Sequence, residues 1–131
     1  MLRYEYMPSE FNPVFLILGD GADLAKLAAI LRRFAQRPHR ISLGDEVPQF
    51  RPRTPLAIVP DDQEFGLRQA GDNFVWGLNP WQALNIADRI EVLASPRTLS
   101  GSDVIEIGSE GEIPVKVSRG EFTDDFLISK R

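Results

Sequence analysis

Asp72–Pro96 reads DNFVWGLNPWQALNIADRIEVLASP, and its grammar is strand, cap, helix, stop. Phe74, Trp76 and Leu78 alternate with Val75 and Gly77, the period of a strand with one preferred buried face. Asn79 stands where a helix N-cap belongs, with a side-chain oxygen able to accept an orphan N–H of the first turn. Pro80 follows at the first helical position, where its missing N–H costs nothing. Gln82 falls three residues after Asn79, the spacing of a capping box with Asn as the cap. The helix is expected to run to about Ala94 and to stop before Ser95-Pro96, because the residue before a proline avoids the α region.

At 100° per residue, Ala83, Ile86, Ala87, Ile90, Leu93 and Ala94 share one side, the core face. Trp81, Leu84 and Val92 lie away from it, among Asn85, Asp88 and Glu91. A second apolar strip on a helix calls for a second layer or a partner. The plainer account folds Trp81 back over a neighbouring loop, since scattered exposed apolar residues are normal.

Working outward, the same grammar recurs upstream. Val14–Leu18 is an apolar run of strand length. Gly19-Asp20-Gly21 ends it, and a helix is expected from about Ala22 to Arg37, capped by Asp20 with Asp23 in its first turn. Leu24, Leu27, Ala28, Leu31, Phe34 and Ala35 form its core stripe, and Pro38 stops it. Phe15–Ala35 lies over Phe74–Ala94 at a constant offset of 59, Asp20 meeting Asn79 at the caps. Two readings cover this echo: an internal strand–helix–strand duplication, or the shared period of any two amphipathic helices that follow buried strands.

The remaining segments read as short extended pieces. Leu2, Tyr4 and Tyr6 alternate as a first strand. His39–Leu43 and Leu56–Val59 read as strands on either side of the proline-rich, irregular Gly44–Pro55. Phe65–Gln69 is expected to pair with Phe74–Leu78 through the turn at Ala70-Gly71-Asp72-Asn73. Val104–Ile107 and Ile113–Val117 read as a second hairpin about Gly108-Ser109-Glu110-Gly111. The expected architecture is α+β: one domain, residues 1–131, with a largely antiparallel sheet and two amphipathic helices on one face.

The length suits one domain with a single sizeable core. The chain has no cysteine, so disulfides, cysteine–zinc sites and thiol catalysis are excluded, and a reducing compartment fits. MLRYEYMPSEF lacks the apolar centre of a signal peptide, and no apolar run is long enough to span a bilayer. A cytoplasmic home is the expectation. Net charge is −4, but Lys26–Arg53 is basic and the chain beyond Thr54 acidic, an asymmetry that can mark a partner surface.

Candidate chemistry is thin. His39 is the only histidine, and its place after Pro38 at a helix C-terminus suits a dipole partner rather than a base or ligand. Gly19-Asp20-Gly21 resembles a phosphate loop only in part: position 24 is Leu, no Gly-Lys-Ser/Thr follows, and two aspartates stand where phosphate would sit. Asp61, Asp62 and Glu64, or Glu121, Asp124 and Asp125, could offer oxygen ligands to a hard cation, but neither spacing is that of a calcium loop. No cofactor and no metal is expected. The basic ridge of Lys26, Arg33 and Arg37 could meet phosphates or an acidic protein, yet a sequence pI near 5.0 argues against nucleic acid.

The expectation is therefore a protein-interaction or regulatory domain rather than an enzyme. The alternative is a small-molecule site or enzyme with its pocket between helices and sheet. Trp81, Leu84 and Val92, with the apolar tail residues Phe122, Phe126 and Leu127, form the candidate interaction surface. A homodimer or another protein partner is expected to use it.

Overall fold

A computed structural model describes residues 2–8, 12–46, 55–97 and 100–120. The fold is α+β, but the single sheet expected from the sequence is two sheets of four strands. The first contains β1 (Arg3–Met7), β2 (Val14–Leu18), β8 (Val115–Arg119) and β7 (Gly101–Ile105), in that order. The second contains β3 (Ile41–Ser42), β4 (Leu56–Pro60), β6 (Asn73–Leu78) and β5 (Gly66–Ala70). The outer pairings are antiparallel and the middle pair of each sheet, β2 with β8 and β4 with β6, is parallel.

Three helices complete the described residues: α1 (Gly21–Gln36), the single turn α2 (Leu43–Glu46) and α3 (Pro80–Ala94). The helix ends follow from the caps. Asn79 Oδ1 accepts from the Gln82 N–H at 2.8 Å, and Gln82 Oε1 accepts from the Asn79 N–H at 2.9 Å. Asp20 and Asp23 make the same reciprocal pair at α1, at 2.9 and 3.0 Å. Each box satisfies two of the orphan N–H groups at a helix start.

The buried stripe of α3 is Ala83, Ile86, Ala87, Ile90 and Leu93, and that of α1 includes Leu24, Leu27, Ala28, Leu31 and Phe34. These stripes join the inward rows of both sheets in one core, which contains Phe15, Ile17, Ile58, Phe74 and Trp76. Among the described elements the most extensive packing is that of α1 with α3. Ala28, Ala83 and Ala87 are fully buried in the core stripes of the two helices.

The offset of 59 recurs in the pairing. Phe15 pairs with Val115 and Phe74 pairs with Leu56, so one pair maps onto the other at the same offset, Phe15 to Phe74 and Leu56 to Val115. The Phe15 and Phe74 rings meet at 5.2 Å between centroids. Arg32 reaches across the helix pair to Glu91, also 59 residues on. Equal registers describe geometry; common descent of the two halves is a separate proposition.

Two elements depart from the sequence expectation. The strand at His39–Leu43 shrinks to Ile41–Ser42, because Leu43 is buried as the start of α2. The second hairpin pairs Gly101–Ile105 with Val115–Arg119, so Glu106 to Pro114 form a loop instead of ladder. Glu112 is the reason. Its carboxylate accepts from the N–H groups of Ile107, Gly108 and Ser109 at 2.7, 2.8 and 3.1 Å, which removes those donors from strand pairing. The same side chain fills the space where a Cβ on Gly66 would stand, and Gly66 sits at φ +95°, so glycine is required there twice over. Beside it the Ile113 N–H donates to the Leu67 carbonyl at 2.8 Å, a bridge that ties the two sheets together.

Candidate functional site on the outward face of α3

The Asn79–Pro80 cap sets the rotation of α3, and that rotation decides what faces out. With the alanine and isoleucine stripe turned inward, Trp81, Leu84 and Val92 are left 73%, 40% and 68% exposed. Trp81, Asp88 and Val92 recur at seven and four residues, so they share one line along the helix surface. A tryptophan this exposed leaves on the order of 150–250 Å² of apolar surface in contact with water.

The polar residues beside this line are already engaged. Arg32 of α1 donates to Asp88 Oδ1 at 2.5 Å and to both carboxylate oxygens of Glu91. These bonds hold the Glu91 carboxyl below its usual range and raise the Arg32 guanidinium above its own. On the other flank Arg89 grips Asp103 of β7 as a fork, with contacts of 2.8 and 2.7 Å, and donates to the Val104 carbonyl at 2.9 Å. The hydrogen bonds to Asp103 raise the Arg89 pKa. The line of Trp81, Leu84 and Val92 thus runs between a matched ion pair, Arg89 with Asp103, and one arginine shared by two carboxylates, Asp88 and Glu91. The Arg89–Asp103 fork has no sequence signal, since its partners lie on different elements 14 residues apart.

Between α3 and β7 lies a cleft of about 160 Å³, lined by Trp81, Asn85, Ile86, Arg89, Ile105 and Glu106 among others. Its walls are mixed, and its one strongly charged donor is already held by Asp103.

The other sequence candidates are placed as follows. In the basic ridge, Lys26 and Arg37 are exposed, and Arg33 donates to Glu46 of α2 at 2.6 Å. A broad concavity of about 650 Å³ opens there, lined by Arg33, Arg37, Pro38, His39 and Glu46. It sits at the negative end of the α1 dipole, the wrong end for an anion. His39 is exposed and its Nδ1–H donates to the Arg37 carbonyl at 2.6 Å. Phe122, Phe126 and Leu127, and the acidic Glu121, Asp124 and Asp125, lie outside the described residues.

Gly19 and Gly21 are explained by packing. A Cβ on Gly19 would stand 2.7 Å from that of Asp23, and one on Gly21 would stand 3.0 Å from the Ala94 carbonyl oxygen. Asp61 caps its own turn, accepting from the Gln63 and Glu64 N–H groups, both at 2.9 Å. Those bonds lower its pKa. Among the described residues no group of three or more His, Asp or Glu side chains is placed to hold a metal ion. Also among them, no helix is long and apolar enough to cross a membrane. Among the described residues Tyr4 is the one titratable side chain of the core. Burial pushes its hydroxyl up to about 12, so it stays protonated at neutral pH.

No protein-family model matches the chain, and comparison with curated proteins and with solved structures gives no match.

Proposed function

We propose that the chain is a non-enzymatic protein-interaction or regulatory domain that works as a homodimer, joined through the outward face of α3. The cysteine-free composition suits a cytoplasmic setting. The observation that carries the reading is the alignment of Trp81 and Val92, both more than two-thirds exposed, on one line of a single helix. Tryptophan is enriched at the energetic centres of interfaces. The Asp88 carboxylate that interrupts the line is paired with Arg32, so no bare charge would be buried by a second helix.

A 15-residue helix is about 22 Å long and about 10 Å wide, so its outer face supplies only part of the ~800 Å² per partner of an ordinary interface, and the flanking residues of α1 and β7 would have to supply the rest. An antiparallel crossing would set Trp81 of one protomer near Val92 of its partner and leave the Arg32 clusters flanking the axis. Closed two-fold dimers are the commonest soluble homo-oligomers. The small-molecule alternative has less support: the α3–β7 cleft of about 160 Å³ falls below the ~300 Å³ at which ligand pockets begin, and the larger concavity beside Arg33 and His39 is broad and open, with Arg33 already bonded to Glu46.

Sedimentation equilibrium over a wide concentration range tests the proposal. The parent is expected at twice the 14.7 kDa chain mass. The double substitution Trp81→Arg with Val92→Glu is expected at the chain mass, with its far-UV circular dichroism unchanged. A parent that stays at the chain mass throughout, or a variant as dimeric as the parent, would refute it.

A further inference from the structure

The chain divides at residues 61–65 into two halves of one plan. Residues 3–60 carry β1 and β2, then α1, then β3 and β4 with the single turn α2 between them. Residues 66–119 repeat the plan with β5 and β6, then α3, then β7 and β8. In each half the successive strands pair antiparallel, β1 with β2, β3 with β4, β5 with β6 and β7 with β8. Yet neither half keeps its two pairs together. Each gives one pair to each sheet, so both sheets are completed by the other half. The seams between halves are the parallel pairings of β2 with β8 and β4 with β6, and the packing of α1 on α3. The ion pairs divide in the same way. Arg33–Glu46 and Arg89–Asp103 stay within a half, whereas Arg32 crosses to Asp88 and Glu91. The one core draws Phe15 and Ile17 from the first half and Phe74 and Trp76 from the second.

We infer that the two halves are exchangeable modules, and that the partner the seams fit is the opposite half of a second copy of this chain. Every seam contact joins residues of different halves, so a half from a second copy makes the same contacts. One short segment decides which copy supplies it. Residues 61–65 are the covalent link between the halves, and they cross the end of β6, which lies between β4 and β5. At that end Pro60 pairs with Leu78 and Gly66 with Gly77. The link is held as a turn. The Asp61 N–H donates to the Leu78 carbonyl at 3.2 Å, and Asp61 Oδ1 accepts from the Gln63 and Glu64 N–H groups. These bonds favour the closed single chain. To close, the link must cover two strand spacings, about 10 Å. Five residues span that, but a link of one residue reaches only about 7 Å. With so short a link, exchange between two copies is the arrangement that keeps both seams, the hinge-loop route to a swapped dimer. The inference makes no use of the outward face of α3, and it concerns the assembly of the halves, not their descent.

The tests use the full chain carrying Trp81→Arg with Val92→Glu, and each mass is read against that same background, so the fate of the α3 contact does not enter. Deletion of residues 61–64 is expected to give, by sedimentation equilibrium, a species of twice the mass of the undeleted chain, with its far-UV circular dichroism per residue unchanged. A second measurement does not depend on the length of the link. Leu27→Asp with Leu31→Asp places charge in the buried stripe of the first half, and Ile86→Asp with Ile90→Asp does so in the second, in separate full-length chains. Each chain alone is expected to be unfolded. Refolded together from urea, they are expected to form a mixed dimer with one intact lobe of two, and so about half the native near-UV signal. A deletion variant that stays folded at the mass of the undeleted chain overturns the inference. So does a mixture whose signal is only the sum of its two components. Where the deleted chain does not fold, the mixture alone decides.

Discussion

The two capping boxes differ in one atom of consequence, and that difference is testable. Asn79 caps α3 with an amide oxygen and Asp20 caps α1 with a carboxylate, in the same geometry. Asn79→Ala removes the acceptor 2.8 Å from the Gln82 N–H and leaves that donor half-buried, while the return bond from the Asn79 N–H to Gln82 survives. The expected loss is about 1 kcal/mol, the usual cost of a good N-cap. For a chain of this size that corresponds to a melting shift of about 4 °C. In urea, with a slope near 2 kcal/mol per molar, it is a midpoint shift of about 0.5 M.

Asp20→Ala is expected to cost a similar amount at neutral pH, but only there. The hydrogen bond from the backbone N–H of Asp23 holds the Asp20 carboxyl below its ordinary 3.8. A carboxylate with a depressed folded-state pKa contributes stability above its unfolded pKa and loses it as pH falls through the folded value. The Asp20→Ala difference should therefore shrink below about pH 4, while the Asn79→Ala difference, which involves no proton, should persist. Urea melts of parent and both variants at pH 7 and pH 3 make the comparison. An unchanged midpoint for Asn79→Ala at pH 7, or a pH-3 loss shared by both variants, would refute the capping argument.

His39→Ala is expected to shift the urea midpoint by less than the equivalent of about 0.5 kcal/mol, since the ring is exposed and its one bond, to the Arg37 carbonyl, can pass to water; any activity of the parent should survive within a few-fold, and a loss of several orders of magnitude would overturn the non-enzymatic reading. Arg32→Ala is expected to leave the monomer's melting midpoint nearly unchanged, because the pairs it makes are exposed. It should instead weaken self-association roughly tenfold, by leaving Asp88 and Glu91 uncompensated beside the interface; equal dissociation constants for parent and variant by sedimentation would contradict the α3 geometry.

What the sequence carried best was local. Asn79-Pro80-Trp81-Gln82 specifies a helix start through bonds that span three residues, so its reading transfers directly to the structure. The hairpin of β5 and β6 was legible for the same reason. The association of hairpins was not. β2 meets β8 across a hundred residues, and neither strand's pattern says which of several apolar strands it will join, or that the joining is parallel. The expected second hairpin failed at Ile107 because a single glutamate side chain, Glu112, took the backbone donors that a ladder would have used. The candidate face was half legible. Helical period alone put Trp81, Leu84 and Val92 off the core side, but the ion pairs that frame them join residues from three elements.

The packing of α1 against α3 ties the fold to the proposed interface. The two helices pack extensively along their lengths. That closeness lets Arg32 on one helix reach Asp88 and Glu91 on the other. An exposed ion pair adds little to a fold in high dielectric, so stability alone gives weak reason for an arginine with two acidic partners there. At an interface the same pair has a use. Asp88 stands between Trp81 and Val92, and burying it bare would cost more than the two apolar residues return. With Arg32 in place the Asp88 carboxylate enters any contact with a hydrogen-bonded cation beside it, though that cation is shared with Glu91. The sequence therefore makes one helix do two things: its inward face packs on α1, and that packing delivers the cation that makes its outer face fit to be covered.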